Sequence, residues 1–111
     1  MHKIRAAGEI TILCERKNKA HKKRGCRNPV LLDSLVFVPQ QIPDGVADDF
    51  EPTQVATCVV KCPSCETDIG FTITVTPTKT GAIEDGEFDV STDGCKTIES
   101  EDDIRGMIVI E

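Results

Sequence analysis

Apolar and polar positions alternate with a period of two over several short stretches of the chain. Between Gly8 and Glu15, Ile10, Ile12 and Cys14 fall on one face, and Glu9, Thr11, Leu13 and Glu15 on the other. That is the period of a β-strand. Val30 to Val38 is apolar with β-branched residues, is interrupted by Asp33-Ser34 and is closed by Pro39, which predicts a bulged strand. Thr53 to Lys61 is strand-like again. Ile69 to Thr76 sets Phe71, Ile73 and Val75 against Thr72, Thr74 and Thr76. Only Cys62-Pro63-Ser64-Cys65 and a few polar residues separate these two runs, so they read as a hairpin with cysteines at its tip. Ile83 to Val90 is a weaker strand with an acidic turn at Asp85-Gly86, and Ile104 to Ile110 is a last strand.

The connections are polar. Arg16 to Asn28 is strongly basic, carries Gly25 and Asn28-Pro29 as turn signals, and reads as a loop (16–28). Residues 40–53 and 91–103 read as acidic connections, the second around Asp93-Gly94-Cys95. No amphipathic helix longer than two turns and no internal repeat is visible. Ser100 precedes Asp103 at capping-box spacing, which allows one short helical turn from Ser100 to Ile104. Short strands with Gly, Pro and Asp turns predict an all-β or β-dominated small domain with an antiparallel sheet, spanning residues 1–111 as one unit.

Composition sharpens this picture at two points. The chain has 111 residues, four Phe and no Trp or Tyr, so Val, Ile and Leu must fill the core. A small core of that kind gains from a metal or a disulfide staple, and six cysteines make either possible. Met1 to Gly8 is charged at His2, Lys3 and Arg5, and Ile10-Thr11-Ile12-Leu13 is too short for a secretory signal. No run approaches the roughly 20 apolar residues of a membrane span. The expectation is a cytoplasmic protein with no membrane association, in which close-spaced cysteines bind metal or do redox chemistry rather than form disulfides. Disulfides remain the competing explanation.

Cys62 and Cys65 have the two-residue spacing that brings two thiolates to one tetrahedral metal from a tight turn. Pro63 presets φ for that turn. A Cys-Pro-x-Cys knuckle between two strands resembles half of a zinc ribbon over residues 54–76. Such knuckles often place Gly after the second Cys, whereas this chain has Glu66, with Gly70 nearby. The resemblance implies structural Zn2+ and a second ligand pair. Cys14 and Cys26 are the expected pair: one ends a strand, the other ends the basic loop, and the insertion between them is tolerable because loop closure grows slowly with length. Cys58 shares a strand face with Cys62 and reads as a packed small hydrophobe. Cys95 sits in a predicted turn, either as a thiol outside the site or as a replacement ligand. His21, among Lys and Arg, reads as a solvated loop residue. With two His and no His-Glu-x-x-His pattern, a closed structural site is expected rather than a catalytic one. The rival redox reading of Cys62 and Cys65 needs a helix after the second Cys to lower the thiol pKa, and Ile69 to Thr76 is a poor helix.

Charge is divided along the chain. Residues 1–30 carry nine Lys/Arg and two Asp/Glu, and residues 31–111 carry four and seventeen, which together give the net −6. Arg16, Lys17, Lys19, Lys22, Lys23, Arg24 and Arg27 form a cluster that suits a polyanion. No aromatic residue interleaves it, so nucleic-acid contact would be to backbone and of low sequence specificity. The acidic remainder suits a basic protein partner. The expected function is a non-enzymatic, zinc-stabilised interaction module, a small accessory or regulatory protein binding protein or nucleoprotein machinery. The alternatives are a nucleic-acid-binding ribbon using residues 16–27 and a thiol redox protein.

Overall fold

Alternating β-branched runs become antiparallel strands. The computed structural model describes residues 2–15, 27–40, 51–62, 66–80 and 87–111. The strands are β1 (Ile4–Ala6), β2 (Glu9–Cys14), β3 (Arg27–Leu31), β4 (Val38–Pro39), β5 (Gln54–Lys61), β6 (Asp68–Thr76), β7 (Glu87–Asp93), β8 (Cys95–Thr97) and β9 (Ile108–Ile110). A 3₁₀ turn covers Leu32–Ser34, and a short helix α1 covers Glu101–Arg105. The protein is β-dominated, as the period-two pattern predicts.

The strands form a two-stranded sheet β1-β9, a three-stranded sheet β3-β2-β8 and a four-stranded sheet β4-β5-β6-β7. Their inner faces supply one apolar cluster. Ile10, Ile12 and Cys14 come from β2, Ala56 from β5, and Ile69, Phe71, Ile73 and Val75 from β6. The faces expected to be apolar are therefore the buried ones. Ile104 of α1 and Leu32 of the 3₁₀ turn cap the cluster. The Ser100 side chain accepts from the Asp103 N–H at 3.1 Å, so the predicted cap starts α1.

Several boundaries differ from the sequence expectations. The strand expected from Val30 starts at Arg27, so Asn28-Pro29 lies inside β3 and not in a turn. Pro29 fits because, among the described residues, β3 is an edge strand, and Pro29 opposes Thr11. Leu32 N–H donates to the Gly8 carbonyl, and alternation along the ladder places Pro29 at a non-hydrogen-bonded position, where its missing N–H costs nothing. The run expected as one bulged strand to Val38 is divided by the 3₁₀ turn, with Val38–Pro39 pairing with β5 instead. The last strand begins at Ile108, because the helix capped by Ser100 takes Ile104 and Arg105. β1 was not expected and pairs with β9. Cys95 lies in a strand, not in a turn. β7 runs past Val90 to Asp93, Gly94 bends the chain at φ +70, and β8 then pairs with β2. The bend transfers one segment between two sheets, a use of positive φ that favours Gly.

Candidate metal centre

The hairpin β5–β6 carries Cys62 at its tip. Its register runs from Gln54↔Val75 to Lys61↔Asp68. Beyond that pair, Cys62 N–H donates to the Thr67 carbonyl at 2.9 Å, and Glu66 N–H donates to the Cys62 carbonyl at 2.8 Å. Two residues, Glu66 and Thr67, thus oppose Cys62. Glu66 has φ +58, the one positive φ outside Gly among the described residues. This is the arrangement of a G1 bulge, whose first position is normally Gly in the left-handed region. Glu66 therefore holds the conformation that knuckles usually give to Gly, at a strain of about 1–2 kcal/mol. Cys62 itself is fully buried in the apolar cluster.

Cys14 ends β2 and is also buried. A chain of contacts joins it to the four-stranded sheet. Cys14 opposes Cys95 across β2 and β8, and the Cys95 thiol donates to the Gly70 carbonyl at 3.2 Å. Gly70 lies two residues from the tip-end start of β6. Cys14 and the Cys62 tip therefore lie toward the same end of the four-stranded sheet. Gly70 has no room for a side chain: an added Cβ would stand 2.2 Å from the Cys58 carbonyl oxygen.

Of the expected ligands, Cys26 and Cys65 lie outside the described residues, as do His21, Arg16, Lys17, Lys19, Lys22, Lys23 and Arg24. Cys26 directly precedes Arg27, which opposes Leu13, the residue before Cys14. Cys65 directly precedes Glu66. Arg27 is exposed on β3. Among the described residues no three His, Cys, Asp or Glu side chains gather into a group able to hold a metal.

Cys95 belongs to the apolar cluster and Cys58 packs against it. Cys58 faces the cluster from β5, four residues from Cys62, a separation of about 13 Å along the strand. Burial pushes its thiol pKa up. Burial also pushes the Cys95 thiol up, more than its backbone hydrogen bonds lower it. Neither sulfur is an activated thiolate.

A cavity of about 210 Å³ opens on the outer face of the four-stranded sheet, above Gly70, between Thr57, Val59, Thr72, Ser91 and Asp93. A second polar site lies far from the cysteines in sequence. His2 N–H donates to one Glu51 carboxylate oxygen at 2.5 Å, the His2 ring Nδ1 meets the other, and Gln54 Nε2 donates to the His2 carbonyl at 3.0 Å. Burial raises the Glu51 carboxyl, but the His2 hydrogen bonds outweigh it and hold the pKa below its ordinary value. Sequence reading missed this clamp, since neither residue belongs to a motif.

No helix among the described residues is long and apolar enough to cross a membrane. In comparison with known proteins, no family model, no curated protein and no solved structure matches this chain.

Proposed function

We propose that this chain is a non-enzymatic, zinc-stabilised interaction module in which Cys14, Cys26, Cys62 and Cys65 hold one structural Zn2+. The observation that carries the reading is the turn after Cys62. Glu66 adopts the left-handed conformation at the place where Cys-Pro-x-Cys knuckles use Gly. A strained non-Gly residue persists where its surroundings over-determine it, and a metal gripping both ends of the turn supplies such a constraint. Four thiolates fit a closed tetrahedral site, with sulfur at about 2.3 Å from zinc. Burial of Cys14 and Cys62 suits a structural rather than an open metal. The chain after the knuckle enters strand β6, so the helix N-terminus needed by the redox alternative does not follow Cys65.

The binding role is supported by surface apolar side chains. Val36 is 74% exposed and Val59 64%, with Leu31 and Val38 also exposed. Val59 stands in the outer part of β5, beyond the two-residue pairing with β4. Among the described residues β5 has no second partner there, and a strand with β-branched side chains at a sheet edge suits addition of an extended segment from a protein partner.

Metal content tests the first half of the reading. The purified chain should carry about one zinc, by elemental analysis, and should lose cooperative folding when a strong chelator removes it. Cys62→Ser and Cys14→Ser should lose the metal; Cys58→Ser should keep it. A metal-free chain that folds stably would sink the zinc site. Capture of a protein partner that is weakened by Val59→Lys supports the second half. Binding to random DNA or RNA with a steep salt dependence would instead favour the nucleic-acid alternative.

A further inference from the structure

Cys14 and Cys95 are 81 residues apart in sequence and are direct Cα partners across β2 and β8. The flanking hydrogen bonds define the kind of pair they make. Glu15 N–H donates to the Gly94 carbonyl at 2.9 Å, and Ile98 N–H donates to the Thr11 carbonyl at 3.0 Å. Bonded and non-bonded positions alternate along an antiparallel ladder. Cys14 and Cys95 therefore occupy a non-hydrogen-bonded position, where Cα atoms stand about 4.5 Å apart and side chains are closest. A disulfide needs Cα atoms roughly 4.4–6.8 Å apart with Cβ atoms facing each other. Both residues are buried and belong to the same apolar cluster. The backbone register alone meets the requirement, without strand movement.

We propose that Cys14 and Cys95 form an oxidation site, in which a small peroxide closes a cross-strand disulfide. The Cys14 thiolate attacks hydrogen peroxide and becomes a sulfenic acid, releasing hydroxide. The sulfur of the other cysteine then displaces the hydroxyl as water. Together the thiolate and the thiol lose two electrons and one proton, and the peroxide becomes one water and one hydroxide. Burial of both sulfurs selects an oxidant of this size over a bulky disulfide such as oxidised glutathione. The consequence rests on the zinc reading above. Cys14 held in a disulfide is no longer a thiolate donor, so closure releases the metal and couples the basic-loop end of β2 to the redox state.

The test treats the full zinc-loaded chain with increasing hydrogen peroxide. Non-reducing peptide mapping by mass spectrometry reads the linkage, and a chromophoric chelator reads zinc release. A peptide joining Cys14 to Cys95 should dominate and should rise in step with released zinc. Cys95→Ser should lose that peptide and slow the release while keeping the zinc of the untreated protein. Cross-linking of Cys14 mainly to another cysteine, or no Cys14–Cys95 peptide from folded protein, overturns the proposal. Loss of zinc from untreated Cys95→Ser also overturns it, because Cys95 would then be a ligand. If Cys95→Ser does not fold, the wild-type peptide map decides alone. A chain purified without zinc defeats the metal reading, and the same map still decides the oxidation site.

Discussion

The four-stranded and three-stranded sheets are built in opposite ways. In the first, β5, β6 and β7 follow one another in the chain and pair as neighbours. Their register is set by hairpins and by a clean split between Phe71, Ile73 and Val75 inside and Thr72 and Thr74 outside. In the second, β2 at the start of the chain pairs with β8 near its end. Closing that distance costs loop entropy that no local turn offsets. The three-stranded sheet therefore depends on long-range fastenings, such as the shared core and the proposed metal. The four-stranded sheet depends on them less.

Metal removal should separate the two most strongly. A structural zinc contributes on the order of 10 kcal/mol in small zinc-finger peptides. With partial chelation, hydrogen exchange should accelerate first in β2, β3 and β8 and later in β6. Equal acceleration in both sheets would break the distinction.

Gly70→Ala attacks the sheet that is otherwise the sturdier one. Its Cβ would meet the Cys58 carbonyl at 2.2 Å, and backbone must move. The expected loss is about 1–3 kcal/mol in denaturant unfolding. A neutral result would mean that the β5–β6 pairing relaxes easily at Gly70.

Glu66→Gly acts at the same hairpin with the opposite sign. Relief of the left-handed strain should stabilise by about 1 kcal/mol, after the extra chain entropy of Gly. Zinc content should stay the same. Destabilisation would show that the Glu66 side chain makes a contact worth more than its strain.

The smallest effect is expected at the His2–Glu51 clamp, which ties the chain start to the region beside β5. Glu51 has a lowered pKa in the folded state. Its contribution is present above its ordinary value of 4.5 and is lost as pH falls through the lower folded value. Wild type should be more stable than Glu51→Gln at neutral pH, with the gap closing at acid pH. A gap that stays constant with pH would mean that shape, not charge, makes the clamp.

The strands with local partners were legible from period two alone. β2 and β6 bury the faces that alternation assigns, and Ser100 starts a short helix where its spacing with Asp103 suggests. The hairpin that carries Cys62 was legible too. Cys62 follows β5 at the turn, and its backbone bridges to Thr67. Cys95 was not legible. Asp93-Gly94-Cys95 has the composition of a turn, because polar Gly-containing segments leave hairpins and sheet crossings alike.

The sequence by itself determined the β class, the faces of the main strands and the cysteine-tipped hairpin, because these follow from side-chain period and turn chemistry within a few residues. Only the tertiary structure decided that β8 lies against β2, that Cys14 opposes Cys95, and that Glu66 takes the left-handed position of a Gly. Pairing between distant strands depends on which sheet edges a shared core brings together, and no local pattern encodes that choice. The strain at Glu66 likewise depends on the turn around it, since its own side chain disfavours the conformation it holds.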